Sequence, residues 1–402
     1  MSEPLLARSS ADDALLSTHR LLLRLGLALT SAFAWIFVFQ YFYVLSGDAG
    51  RAFVALLLVY GLAQGITVVL TPIAAAHLRT GTKRALITGT ALAALAYTVL
   101  GGALMGLFVG DSLVWGVALF AILLGAYRAL YFVPYRLSRA ATPHRHSRLH
   151  ALFEILVALM PLFAALTLVS YPSEPIRILF GTSIFLILSI VPALFVKNTR
   201  EKYSWAYLYT FVQLARERNN TLVLNSLLEG VQGAALFLIW PLAIFFILDS
   251  SYAALGIVVS LTLLAILLSR AVLGRWFKRF ELHDSPRVHT VLAMSGWIFR
   301  LAAGTPVGVI LADTYSYATL PSRGTLHDPF VQQQASDHGT FIDEYTTLKE
   351  MARASGKIVL CIFVGAAASF VSLPVAFALA LGVAAFAAGL TVSLQRFVSS
   401  AA

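Results

Sequence analysis

Residues 52–76 read AFVALLLVYGLAQGITVVLTPIAAA, and residues 77–84 read HLRTGTKR. The first stretch carries no charged side chain; the second sets Arg79, Lys83 and Arg84 close together. A bilayer's hydrocarbon core is about 30 Å thick and takes a helix of roughly 20 apolar residues. An apolar run of that length closed by a basic cluster is a transmembrane helix whose charged end faces the cytoplasm, where Lys and Arg are retained during insertion.

Outward from this stretch the same pattern recurs. Apolar windows fall near residues 21–45, 52–76, 85–109, 113–135, 151–169 and 176–196. After a polar break they resume at 221–248, 252–274, 288–303, 306–320, 342–370 and 373–394. The expected fold is all-α, a polytopic membrane protein of about twelve helices in two pseudo-symmetric six-helix bundles. The ninth and tenth windows are short and parted only by Gly304 and Thr305, so they also read as one long helix. Charge favours two. With twelve spans, 24 of the 29 Lys and Arg fall on the side of the termini, and Arg51 and Arg177 alone fall opposite. Merging the two windows would move the basic residues between 323 and 357 outside, against the positive-inside rule. Both termini are therefore expected in the cytoplasm, and the inner (plasma) membrane is the expected location.

Composition agrees. Of 402 residues 59% are hydrophobic and 12% charged, with mean hydropathy +0.82; soluble domains carry about a quarter charged residues. The net charge of +10 does not signal nucleic acid, because its excess lies in the loops of one membrane face. Cys361 is the lone cysteine, which excludes an internal disulfide and a cysteine-rich metal site and leaves a packing role. Residues 1–20 form a polar, mildly acidic tail (Glu3, Asp12, Asp13) without a secretory signal's features, so the first apolar run stays as a span.

Residues 197–220 separate a bundle at 21–196 from one at 221–396. Tyr203, Trp205, Tyr207, Tyr209 and Phe211 in this linker either settle at the headgroup level or are scattered linker aromatics. A weak repeat links the halves. Ala74-x-x-x-Leu78-Arg79 answers Gly274-x-x-x-Lys278-Arg279, and Leu152-Phe153-Glu154-Ile155 answers Leu348-Lys349-Glu350-Met351. Parallel six-span repeats organise one large transporter class.

On these residues the chain resembles the major facilitator superfamily, whose mark is Gly-x-x-x-Asp-Arg-x-Gly-Arg-Lys after the second span. Ala74, Leu78, Arg79, Gly81, Lys83 and Arg84 occupy its places, with Gly274 and Arg279 in the second half. The aspartate is replaced by Leu78, and by Lys278 in the second half. The resemblance implies that this loop is a gate, and the missing aspartate removes part of the family's lock on the outward-open state. The stretch from Asp343-Glu344-Tyr345 through Lys349-Glu350 to Ser355-Gly356-Lys357 also looks like the start of the eleventh helix in some bacterial members. Pro161 stands in the fifth span without the glycines of the antiporter signature.

Ionisable groups in a span usually face a cavity or a partner. Arg128 lies two turns before Arg136, with Tyr131 on its face; it reads either as a clamp for a carboxylate or phosphate or as the structural partner of Glu154. Glu229 and Gln232 share a face of the seventh span. Glu229 reads as a proton-coupling carboxylate, because desolvation would raise its pKa, or as the partner of Arg270. Asp313 in the tenth span faces a substrate or pairs with Arg300 or Arg353. Gln40 and Gln64 bind substrate or bridge helices. The basic loop with His144, His146 and His150 suits anionic lipid better than a metal. The cysteine and histidine pattern implies no cofactor.

The expected function is secondary active transport of a small polar or amphipathic solute by alternating access, with the proton as candidate coupling ion and the monomer as the expected state. A lipid or lipid-linked precursor flippase on the same fold is the alternative. An intramembrane enzyme would need a nucleophile–base or metal constellation in the spans, and no histidine is expected deep in one.

Overall fold

The computed structural model describes residues 10–108, 113–140, 148–171, 175–200, 203–277, 286–318 and 342–400. Regular structure among them is helical. In chain order the helices are α1 Ser10–Thr30, α2 Ala34–Ser46, α3 Ala49–His77, α4 Thr82–Leu104, α5 Leu113–Ala140, α6 Arg148–Ser170 and α7 Ile176–Phe195. Then follow α8 Tyr207–Leu214, α9 Asn220–Ala234, α10 Trp240–Ile247, α11 Tyr252–Phe277, α12 Pro286–Ala302, α13 Pro306–Ala318, α14 Ile342–Ala368 and α15 Leu373–Ser400.

Among the described residues, ten helices are long and apolar enough to cross a membrane. The remaining pair, α12 and α13, is shorter and separate: α12 ends at Ala302, the chain reverses, and Pro306 opens α13, which packs back on α12. The long-helix reading of this region does not hold, because a proline and the preceding glycine suit a turn and not a helix interior. The first helix starts at Ser10, eleven residues before the apolar window that opens at residue 21. It runs from Ser10 through residues read as tail, and carries His19 into the interior, where its Nδ1 lies 2.7 Å from the Ser189 carbonyl. The expectation that no histidine lies deep in a span is thereby corrected.

Helix ends follow local chemistry. Gly47, at φ 67°, closes α2 with its amide on the Tyr43 carbonyl, and Asp48 caps α3 by accepting from the Arg51 amide at 2.7 Å. Outward faces carry Leu58, Ile362 and Phe386, each more than 60% exposed, which suits lipid and would be costly in water.

Packing is close because small residues sit at the crossings. A Cβ on Gly125 of α5 would overlap the Ala63 carbonyl of α3; one on Gly256 of α11 would overlap the Pro161 carbonyl and Ala165 of α6. Gly230 of α9 and Gly356 of α14 meet reciprocally, each against the other helix's backbone at Arg353 and Leu227. Without a hydrophobic drive between helices in lipid, such approach supplies the association energy. Helices α1, α3, α4, α5, α6 and α7 pack among themselves, as do α9, α11, α12, α13, α14 and α15, with α3 on α14 and α6 on α11 as the seams between the groups.

The ends of the helices define two faces. At the distal face, opposite the termini, Phe33 and Phe37 of the first span lean on Tyr252, and Phe39 meets Phe246 edge-on at 5.5 Å. The Tyr252 hydroxyl donates to Gln40 there. At the other face the linker clasps the first group. The Thr82 amide donates to the Thr199 carbonyl (2.8 Å), and Arg79 Nε to the Tyr203 carbonyl (2.7 Å). The Ser204 amide and hydroxyl reach across to Glu344 of α14 at 2.8 and 2.7 Å. The linker aromatics divide. Tyr203 is buried, its hydroxyl bonded to Thr210 and pushed by burial up to about 12. Trp205 packs on Tyr345, whereas Leu208, Tyr209 and Val212 of α8 point outward as a membrane-surface helix would.

Candidate functional site

Two spans are interrupted at mid-length. Between α1 and α2, the hydroxyls of Thr30 and Ser31 donate back to the Leu27 and Ala28 carbonyls, and residues 31–33 leave the helical ladder. Between α9 and α10, residues Ala235–Ile239 form a π-helical turn in which the Trp240 amide bonds to the Ala235 carbonyl. Pro241 explains it: proline has no amide hydrogen and crowds the carbonyl four residues back, and a wider turn relieves both.

The π-turn aims the Trp240 indole at Asp313 of α13, donating to both carboxylate oxygens at 3.1 and 3.0 Å. Arg300 of α12 completes the cluster, its Nε 2.6 Å from Asp313 and its guanidinium 4.8 Å from the Trp297 ring. Both charges are buried, at 3% and 7% exposure. Of the readings open for Asp313, the structure brings it to Arg300; it does not pair with Arg353.

Glu154 and Glu229 have partners the sequence did not suggest. Arg24 of α1 holds Glu154 through both guanidinium nitrogens, with Nη2 2.8 Å from Oε2. The Arg128–Glu154 pair is thus corrected: Arg24 comes closer because α1 packs on α6. Glu229 accepts from Arg353 Nε at 2.7 Å and from Asn225 at 3.3 Å. Arg353 also reaches Glu350 at 3.2 Å, and Glu350 accepts from Arg136 of α5 at 2.7 Å. The chain Glu229–Arg353–Glu350–Arg136 therefore spans α9, α14 and α5. The side chains of Arg270 and Gly274's neighbours, and Arg279 altogether, lie outside the described residues, as do His144, His146 and His150 in side chain or entirely.

Gln40 bonds Tyr252, and Gln232 donates to Thr391 of α15 at 3.2 Å, so both bridge helices. Tyr131 is buried among Tyr127, Tyr135 and His19. In the loop motif, Gly81 has φ 133° and lies against the Asn198 side chain, a place only glycine fits. Lys83 donates to the Leu194 carbonyl, and Arg84 is exposed. Leu78, at the aspartate's place, is buried with Ala85 and Val133, so an apolar contact to α5 stands where the family has a charge.

The middle of the molecule is different. Arg128 lies 5.6 Å from the centroid of Tyr60, and its Nη1 has no hydrogen-bond partner among the described residues. Gln64, one turn along α3 from Tyr60, is 1% exposed with neither amide atom bonded. The hydroxyls of Tyr60 and Tyr127 are also unbonded. Helices α3 and α14 run antiparallel: Leu57 lies by Gly365 and Tyr60 within electrostatic reach of Cys361. The next turn sets Gln64 level with Lys357, whose stem passes Gly233 of α9, a Cβ there lying 3.5 Å from Lys357 Cε. Sequence reading counted Lys357 with the basic loop; its place half-way along a continuous helix was the signal that it lies inside.

No protein-family model matches the sequence, and no curated protein matches it significantly. Solved structures do. A point mutant of the nucleoside transporter NupG superposes with TM-score 0.61 at 13% identity, over 94% of this chain and 99% of that one. A bacterial homologue of the iron transporter ferroportin, in its inward-facing state, gives 0.61 at 16%, over 97% and 98%. A mutant of the peptide transporter POT gives 0.60 at 14%, over 96% and 94%. The chain shares the fold of these transporter structures. Identity this low speaks for the fold alone. Ten apolar helices of membrane-crossing length among the described residues make the chain an integral membrane protein.

Proposed function

We propose that this chain is a secondary transporter that carries a small solute by alternating access between its two helix groups. The carrying observation is the pair of interrupted spans, α1–α2 and α9–α10, one in each helix group, the first reaching the unbonded Tyr60 through Trp35. Broken helices at the repeat interface are where such folds bind solute. Twelve spans in two six-helix bundles, cytoplasmic termini and a path through a single chain complete the reading, with the closed aromatic cluster of Phe33, Phe37, Phe39, Phe246 and Tyr252 at the outer end. The nucleoside, peptide and iron transporters that share the fold support transport as the activity and leave the solute to the site itself. Proton coupling through Glu229 belongs to the same reading: its exchange between Arg353 and a proton would open the link from α9 to α14.

The test is uptake by proteoliposomes of the full chain, across amino acids, sugars, nucleosides and organic acids, with and without a pH gradient. Saturable uptake of one class, accelerated by an inward proton gradient and losing that acceleration in Glu229→Gln, is the expected result. Absence of uptake for every class, with correctly folded protein, defeats the transporter reading. Reporters check topology: one fused after Ala402 reads cytoplasmic, and one at Asp249 reads outside.

A further inference from the structure

Charges in hydrocarbon are costly unless paired, and this molecule pairs them deliberately. Arg24 holds Glu154, Arg353 holds Glu229 and Glu350, Arg136 holds Glu350, and Arg300 holds Asp313. Arg128 and Lys357 break the pattern: no carboxylate among the described residues pairs with either. They stand on helices of different groups, α5 and α14, which pack against each other and bring the two cations within mutual repulsion. The described groups around them are polar but uncharged or themselves cationic, apart from Glu350, which Arg136 and Arg353 already hold. Gln64, Tyr60 and Tyr127 add buried polar atoms without partners, and Trp35 walls the site by meeting Tyr60 edge-on at 4.9 Å. A buried polar group without a partner costs about 1–3 kcal/mol, so the four of Arg128, Gln64, Tyr60 and Tyr127 mark a site completed by something beyond the described residues.

We propose that the central site takes a small organic oxyanion, a carboxylate or phosphate, held between Arg128 and Lys357. The guanidinium fork of Arg128 grips two oxygens, Lys357 supplies a point charge from the other helix group, and Gln64 and the tyrosine hydroxyls bond the solute's remaining polar atoms. Because the cations belong to different groups, the anion also bridges them and cancels the repulsion between the two like charges. The proposal rests on the transporter reading and names its solute class.

The experiment is thermal unfolding of the detergent-purified full chain with a probe panel, followed by uptake of the probes that stabilise it. The panel sets monocarboxylates and dicarboxylates against their amides, and sugar phosphates against the free sugars, at matched ionic strength. Stabilisation by a carboxylate or a phosphate, and not by its neutral counterpart, is expected, and the two arms tell which oxyanion it is. Arg128→Gln and Lys357→Gln should each weaken that response at least tenfold, with Lys357→Arg retaining it. In both Gln variants the unliganded melting temperature should hold or rise, since each removes an uncompensated charge; a structural cation would lower it, as Arg300→Gln should. Stabilisation and uptake of neutral or cationic solutes alone would overturn the oxyanion and leave the transporter standing. A fall in unliganded stability on loss of Arg128, with the anion response intact, would overturn the site.

Discussion

Asp313 shows how one carboxylate is fixed at the scale of a side chain. Its oxygens accept from Arg300 and from the Trp240 indole, and Arg300 in turn lies over Trp297. With both charges nearly sealed from solvent, removing one leaves the other alone in a low-dielectric interior. Arg300→Met by itself should destabilise the protein by about 3–5 kcal/mol. Adding Asp313→Leu should recover a large part, short of the roughly 1–3 kcal/mol left by the orphaned indole N–H. Melting curves of the single and double variants check this; equal loss in both would mean the pair contributes through packing and not charge. Asp313 as a solute ligand was as legible in the sequence as Asp313 as a partner. What decided between them is the crossing of α12 and α13, which no residue spacing encodes.

Among elements, the glycine crossings carry the most direct consequence. Gly230 and Gly356 let α9 and α14 touch backbone to backbone, the same contact that brings Arg353 onto Glu229. A side chain at either forces the helices apart. Gly356→Val should lower the melting temperature by an amount equivalent to about 1–3 kcal/mol, whereas Gly382→Val, facing open space on α15, should leave it unchanged. Equal behaviour of the two would refute the tight crossing. Glycine in an apolar run is visible in a sequence; which glycines lie at crossings depends on how each helix is rotated about its axis. The π-turn at Ala235–Ile239 was likewise foreshadowed by Pro241, but its effect on Trp240 was not.

On the scale of the whole molecule, the ion-pair chain from Glu229 to Arg136 ties the two helix groups at the linker face. Arg136 is a third exposed, so the single pair is worth little alone; the network and its position give it leverage over opening. Spin labels at Arg84→Cys and Glu217→Cys, both exposed on that face, report the separation of the groups, with the buried Cys361 replaced by Ala. Arg136→Ala should raise the population at the longer distance, and Arg136→Lys should restore the shorter one. An unchanged distribution in Arg136→Ala would remove the pair from the gate. The linker acts at the same scale, joining the 78–82 turn to α14 through Thr199, Tyr203 and Ser204.

The sequence by itself determined that the chain is helical and membrane-embedded, because hydropathy is a sum over local stretches and needs no partner. It also marked Arg128, Gln64, Glu154, Glu229 and Asp313 as residues that must be compensated, since any polar group in a long apolar helix must be. Tertiary structure alone decided with what. Glu154 meets Arg24, 130 residues away, and Glu229 meets Arg353, 124 away. Lys357, counted with the basic loop although it falls in the 342–370 window, lies inside with Arg128, where no described carboxylate pairs with either. Partner choice depends on the relative depth and rotation of two helices, and those follow from how glycines, prolines and bulky side chains interlock across the whole bundle.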